Sequence, residues 1–307
     1  MNASAPAAPP VSLLLARKRR RDRVVETLLL AAALSSVAVT LAIVGILVAE
    51  SIPFFRAVPL GTFLTDTQWM PLFSEPRYGI LPLVCGTLVT TGVALLVAVP
   101  VGTIAAVYLS EYAPHRVREW VKPMLELLSA VPTVVYGYFA LLFVTPALQR
   151  VLPDLPGFNM LSAGLVIGVM IVPYISSLSE DAMRAVPVHL REGAYALGST
   201  RLQTALGVVM PSAFSGIAAA YVLGISRAIG ETMVVAIAAG MQPTMTWDPT
   251  QPAATITAYI VQVSLGDLPH DSIGYQTIFA AGLTLMLMTL SFNVAGHILR
   301  KRFREVY

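Results

Sequence analysis

Charge is what this 307-residue chain has least of: only 12% of its residues are Asp, Glu, Lys or Arg, about half the 25% or so of an ordinary soluble domain. Lysine occurs at Lys18, Lys122 and Lys301 alone, and none of the three follows a glycine. No Gly-x-x-x-x-Gly-Lys-Ser/Thr loop therefore exists, so the chain cannot bind ATP in the P-loop manner. The single cysteine, Cys85, lies in an apolar run, which rules out an intramolecular disulfide and a cysteine metal site. His115, His189, His270 and His297 are far apart and lack metal-ligand spacing, so nothing argues for a metalloenzyme or any other metal site.

What replaces charge is apolar side chain. Hydrophobic residues make up 56% of the chain and the mean hydropathy is +0.73. That excludes soluble enzymes, nucleic-acid-binding modules and disordered scaffolds together, leaving an all-α integral membrane protein with one membrane domain. Residues 1–12 are rich in Ala, Pro and Ser, and six basic residues crowd Arg17 to Arg23. Residues 1–26 read as a cytoplasmic basic tail beside a first transmembrane helix over 27–49. A lipid-binding or nucleic-acid patch has the same composition, but beside a first span such a run is ordinarily a topology signal.

Five further spans are expected near 80–109, 121–149, 161–179, 213–240 and 275–299. The break from Asp181 to Met210 is helix-like but too polar to span. The break from Met241 to Gly274 carries Pro243, Pro249, Pro252 and Pro269 and reads as a structured loop rather than a seventh span. With the N-terminus inside, sixteen basic residues fall on the cytoplasmic side and only Arg56, Arg77 and Arg150 on the other. Basic residues mark the cytoplasmic side, so six helices with both termini cytoplasmic are expected.

One basic residue is left over: Arg227, inside the expected fifth span, in Ser226-Arg227-Ala228-Ile229-Gly230-Glu231-Thr232. An Arg at a helix centre costs about 2.5–3.5 kcal/mol on insertion scales. On a continuous helix Glu231 sits four residues on, sharing its face. The bland reading is a buried ion pair that fixes packing. The functional one is an anion contact in a translocation path, with Glu231 offsetting the cation when the path is empty, since transport needs releasable binding. Glu126, near the cytoplasmic end of the third span, is a secondary candidate that a snorkelling or capping role explains as well. Pro100, Pro132, Pro146 and Pro173 should kink the spans, and Gly164 with Gly168 makes a close-packing face on the fourth.

Glu192-Gly193-Ala194-Tyr195-Ala196-Leu197-Gly198 is followed by nine residues and Val208-Val209-Met210-Pro211. Two short amphipathic helices should meet at Gly198, with Leu190, Ala194 and Leu197 on one face. Such a segment suits a helix pushed by a partner, and it suits a helix resting on the membrane equally well.

This order resembles the signature of bacterial importer permeases of the ATP-binding cassette class, with Gly193 in place of the family's first alanine. Tyr78-Gly79-Ile80-Leu81-Pro82, Gly86-Thr87-Leu88, Leu109-Ser110-Glu111-Tyr112-Ala113-Pro114, Val131-Pro132-Thr133-Val134-Val135-Tyr136-Gly137 and Arg227-Ala228-Ile229-Gly230-Glu231-Thr232-Met233 are similar to the phosphate-specific permeases of the Pst system, the last more to the PstC type than to PstA. The resemblance covers residues 78–300 and implies the type I importer permease fold, with a coupling helix about 188–206 that docks on an ATPase.

It further implies a bacterial inner-membrane, multi-pass phosphate permease subunit that is not itself an enzyme. A PstA-like permease would complete a heterodimer, a PstB-like ATPase dimer would hold ATP and Mg, and a PstS-like binding protein would deliver phosphate. This chain would bind no cofactor and no nucleic acid, and would be surrounded by membrane lipid. Arg227, Glu231 and Thr232 would line the path, with Tyr136 a further secondary candidate; Glu192, Ala194 and Gly198 would couple it to the ATPase. External segments 51–78 and 241–274 would dock the binding protein. A permease for another oxyanion remains open on the residues alone, as does a self-sufficient secondary anion transporter, which would show an inverted repeat and several intramembrane charges. An intramembrane enzyme would need a convergent nucleophile and base, which His297 alone does not supply.

Overall fold

A computed structural model describes residues 11–71, 73–270 and 272–302, with the backbone alone over 11–21. The first ten residues of the basic tail, the side chains of Arg17 to Arg21, and Arg304 lie outside that description. The chain divides into two compact units, Met1–Glu50 and Ser51–Tyr307. The described residues of the first unit belong to helix α1, which runs Val11–Ala57 and ends in the second unit. Its stretch from Thr27 to Ala49 lacks charge, and in lipid an apolar segment can satisfy its backbone only by closing its own hydrogen bonds as a helix.

In the second unit, α2 (Leu60–Thr65) leads to a two-residue hairpin of β1 (Trp69–Met70) and β2 (Arg77–Tyr78), antiparallel with Trp69 opposite Tyr78. Helix α3 (Leu81–Val107) has Pro82 in its first turn and extends through a π turn, Tyr108–Tyr112. Then come α4 (His115–Ala130) and α5 (Thr133–Phe139), followed by a π turn over Ala140–Val144 and α6 (Thr145–Gln149). Helix α7 (Met160–Arg184) is capped by the Asn159 side chain, which accepts from the Ser162 N–H. Short helices α8 (Val188–Ala196), α9 (Arg201–Thr204) and α10 (Met210–Ser212), with a π turn at Ala205–Val209, precede α11 (Phe214–Ile229). The chain ends in α12 (Met233–Ala238), α13 (Ile256–Ser264) and α14 (Ile273–Arg302).

Among the described residues, four unbroken helices are long and apolar enough to cross a membrane: Asp22–Ala57, Leu81–Tyr112, Met160–Arg184 and Ile273–Arg302. Two further apolar stretches are bent pairs, the second of which takes in part of the Asp181 to Met210 segment expected not to span. His115–Ala130 meets Thr133–Gln149 at 87°, and Arg201–Ser212 meets Phe214–Ile229 at 74°. Counting each bent pair as one span gives the expected six.

The third span is thus not the continuous helix expected over 121–149. Pro132 forces its predecessor out of the α region, and Val131 sits at ψ 130. Likewise the expected fifth span, 213–240, stops at Ile229, pauses over Gly230-Glu231-Thr232, and resumes only as the six-residue α12. The prolines do not act alike: Pro100 and Pro173 lie inside uninterrupted helices, whereas Pro132 marks the sharp bend. The loop 241–274 contains α13, whose nine residues are too few to span.

The core forms where α3, α5, α7, α11 and α12 meet, around Ala94, Ala98, Ile167, Met170, Ile171, Ala228 and Val234. Small residues set the distances. A Cβ on Gly164 would stand 2.6 Å from the Val93 Cβ, and one on Gly168 2.8 Å from the Ala94 carbonyl oxygen, so α3 and α7 touch at backbone range. Helices in lipid associate through such van der Waals closeness rather than by escaping water. A second cluster joins the two segments expected outside the membrane. Phe54, Phe63, Trp69 and Tyr259 pack together, with the Trp69 and Tyr259 rings edge-to-face at 5.0 Å.

Candidate functional site

The break between α11 and α12 holds three of the residues singled out in the sequence. Gly224 brings α11 against α7: a Cβ there would meet Ile175 at 3.2 Å. That approach carries Arg227, in the last turn of α11, over the ring of Tyr174 on α7. The guanidinium carbon lies 4.5 Å from the ring centroid. The ring's negative face attracts the cation and covers one side of it. The Arg227 Nε is buried without a hydrogen-bond partner, and Arg227 joins none of the ion pairs found among the described residues.

Glu231 does not pair with Arg227. Helix α11 ends at Gly230, so the four-residue spacing no longer lies on one helical face. The Glu231 side chain, in a residue only 7% exposed, turns to α12, where Oε1 accepts from the Val234 N–H at 3.4 Å. A carboxylate at a helix start satisfies an otherwise free N–H and meets the positive end of the dipole. The Glu231 carbonyl accepts from the Thr257 hydroxyl at 2.7 Å, which ties the break to α13. The Thr232 hydroxyl, partly exposed, donates to the Gly230 carbonyl at 3.1 Å. Gly230 itself is exposed, so the break opens at the surface of this chain.

The two secondary residues go elsewhere. Glu126 is on the exposed side of α4, a helix with no buried residue, beyond the 87° bend from α5. Tyr136, 9% exposed, donates its hydroxyl to the Leu128 carbonyl of α4 at 2.7 Å and so braces that bend. Its neighbour Gly137 lies against α12, where a Cβ would come 2.9 Å from Ile237 Cδ1.

The segment expected to couple the chain to a partner is built as two short helices meeting at Gly198. The Gly198 N–H donates to the Tyr195 carbonyl at 2.9 Å and the Ser199 N–H to the Ala194 carbonyl at 3.1 Å. This is the double closure of a Schellman motif, which needs the left-handed backbone of Gly198, φ +83°. Helix α9 opens with a capping box between Thr200 and Gln203. Ala194 is buried and Glu192 exposed. Leu197 departs from the expected apolar face: it is 90% exposed, because it ends the helix and turns outward before Gly198.

Two ion clusters at this end of the bundle have partners far apart in sequence and were not anticipated. Lys122 of α4 donates to Glu180 at 2.8 Å and Asp181 at 2.6 Å on α7, and Arg191 of α8 grips Glu111 beyond α3 at 3.0 Å. Tyr174 was also missed, since a tyrosine in an apolar run looks like core.

The model of the family described as "binding-protein-dependent transport system inner membrane component" matches residues 98–305. The probable ABC transporter permease protein YqgH of Bacillus subtilis is 36% identical over 240 residues, 78% of this chain and 77% of that protein. The phosphate transport system permease protein PstC 1 of Mycobacterium bovis is 37% identical over 276 residues, covering 78% of this chain and 81% of that protein. Among solved structures, a chain of a bacterial alginate ABC transporter in complex with alginate pentasaccharide-bound periplasmic protein superposes with a TM-score of 0.64. The match covers 94% of this chain and 98% of that one at 18% identity, a likeness of fold.

Proposed function

As the chain belongs to the family of binding-protein-dependent transport inner membrane components, we propose that it is the PstC-type permease subunit of an ATP-driven importer of inorganic phosphate. The observation that carries the reading is Arg227, a cation with no carboxylate partner among the described residues, set beside a broken helix that opens at the surface of the chain. An intramembrane charge left unbalanced is there for a ligand. Guanidinium donors fit the oxygens of phosphate in a planar fork. The PstC name borne by relatives over 30% identical selects phosphate among oxyanions.

In this reading a PstA-like permease faces the break and completes the path, because one Arg is a thin site for a dianion. Arg227 attracts the anion, and the partly exposed Thr232 hydroxyl supplies a neutral polar group beside it. Glu231 holds the start of α12 in place. On the cytoplasmic side a PstB-like ATPase dimer, with ATP and Mg, moves α8 through Glu192, Ala194, the exposed Leu197 and Gly198, and the spans rock between inward- and outward-open states. Both termini lie in the cytoplasm of a bacterium and the spans cross its inner membrane. The aromatic cluster of Trp69 and Tyr259 then faces outward, and a PstS-like protein delivers phosphate there.

The test is radiolabelled phosphate uptake by cells without their own phosphate importers, expressing this chain with the three partners. Intact chain is compared with Arg227→Ala and Glu231→Gln at matched membrane levels. Uptake that depends on the chain and falls at least tenfold in Arg227→Ala is the expected result. Uptake unchanged in that variant makes Arg227 a packing residue, and an intact assembly that moves sulfate but no phosphate makes the chain a permease for another oxyanion.

A further inference from the structure

We propose that Glu111 and Arg191 form the joint through which movement of α8 reaches the membrane helices, making both of them positioning residues for transport. This rests on the ATP-driven reading above but not on the identity of the anion.

The joint is dense. Arg191 donates to Glu111 from Nε (3.3 Å) and from a terminal nitrogen (3.0 Å), which is the two-pronged fork that fixes direction as well as distance. The same guanidinium donates to the carbonyls of Val186 and Met183, both at 2.7 Å. Met183 lies in the last turn of α7 and Val186 just beyond it, so both bonds hold Arg191 to the end of that helix. Glu111 also accepts from the Ser110 hydroxyl at 2.7 Å. One side chain of α8 therefore holds the ends of α3 and α7 at once.

Burial separates this pair from an ordinary surface ion pair. The Arg191 and Glu111 side chains are 15% and 5% exposed, whereas His115 and Glu119, paired on α4, are 71% and 60% exposed. The rest of α8 is weakly attached. Ala194 is buried and Leu190 half-buried, while Glu192, Gly193, Tyr195, Ala196 and Leu197 are exposed. Without Arg191, one alanine and one leucine would hold the helix to the bundle. Beyond the joint, α3 and α7 meet at backbone range through Gly102, Gly164 and Gly168, so the pair moves as one body. Glu111 sits in the π turn that ends α3, and such turns recur at functional positions.

The experiment uses the whole transporter in proteoliposomes, in a Cys85→Ser, Met233→Cys background. Met233, 40% exposed beside the break, reports opening through its rate of modification by a membrane-impermeant maleimide, with and without ATP. Removing one charge would leave the other buried and unpaired, so the main variant is the double neutral Glu111→Gln/Arg191→Gln. Arg191→Lys keeps the charge but loses the fork. The expected result is ATP hydrolysis within twofold of the parent and an ATP-dependent change in modification reduced at least fivefold. Arg191→Lys should fall between, while phosphate moved per ATP drops in the same order.

An undiminished ATP response in the double variant overturns the proposal. So does a parallel fall of hydrolysis and response at equal phosphate per ATP, which marks a merely structural pair. A parent that responds to ATP yet moves no phosphate sinks the phosphate reading and leaves the joint standing. A parent that does not respond to ATP overturns both.

Discussion

Replacing Tyr174 tests whether the ring, rather than Glu231, keeps Arg227 ready for an anion. Two estimates bear on the size of the effect. A guanidinium over an aromatic face gains from about 0.5 kcal/mol where exposed to about 2 kcal/mol where desolvated. Arg227 is half-buried with a centroid distance of 4.5 Å, so about 1–2 kcal/mol applies. A freed Arg side chain also regains up to about 2 kcal/mol of rotamer entropy, which an anion must then remove. Both routes lead to about 1–2 kcal/mol, or roughly 5- to 30-fold at 1.36 kcal/mol per decade of rate.

Tyr174→Leu keeps an apolar body of similar reach but removes the π face, and Tyr174→Phe keeps the face but removes the hydroxyl. In the proposed importer a delivery protein sets the half-saturation, so the loss belongs in the maximal uptake rate at saturating phosphate, measured at matched membrane levels. The expected order is parent, then Phe within about threefold, then Leu lower by roughly 5- to 30-fold. Leu equal to Phe would refute the argument, because the ring would then only fill space. A Leu variant whose shortfall disappears on correcting for assembled complex would refute it too.

Other positions give sharper yes-or-no outcomes. Gly168→Val should lower the thermal midpoint of the purified chain by the equivalent of about 1–3 kcal/mol of overpacking, since its Cβ would sit 2.8 Å from the Ala94 carbonyl oxygen. Gly92→Ala, with open space around its Cβ, should not lower it. Gly193→Ala should stabilise α8 by up to about 1 kcal/mol through helix propensity, because no atom lies within 4 Å of the added methyl; a loss of uptake would mean that a partner needs that gap. Gly198→Val should let ATP hydrolysis continue while uptake falls, as a β-branched residue at φ +83° breaks the turn joining α8 to α9, and unchanged phosphate per ATP would count against the coupling role of Glu192 to Gly198.

Much of the architecture was legible because charge is so sparse in the chain that its few polar breaks mark the ends of helices. The α8–Gly198–α9 unit was legible too, since a glycine between two amphipathic stretches has a specific backbone job. What sequence spacing misjudged was continuity. Pairing Arg227 with Glu231 assumes a helix running through Gly230, although a glycine just after a basic residue is a local signal for a helix end. The tie that holds the break, from the Thr257 hydroxyl of α13 to the Glu231 carbonyl, comes from a distant part of the chain. The size of the bend at Pro132 was equally out of reach, since it depends on Lys122 fastening α4 to Glu180, 58 residues away. Glu111 stood in one motif and Arg191 just before another, and only the fold brings them together.

The broken helix changes how the Arg227 charge is balanced. On a continuous helix Glu231 would sit against the guanidinium and compete with every anion that arrived. In the structure Glu231 is committed to the first turn of α12 and Tyr174 takes its place beside Arg227. An aromatic face offsets a cation by about 0.5–2 kcal/mol, whereas freeing a buried carboxylate from its partner costs about 3–5 kcal/mol. Stacking therefore makes the cation tolerable in an apolar bundle without occupying its in-plane donors, which remain for oxygens. A guanidinium that joins no ion pair among the described residues also binds a dianion only weakly by itself. In the proposed importer capture then waits on the facing permease and release on the rocking of the spans, which is the condition for moving an ion rather than storing it.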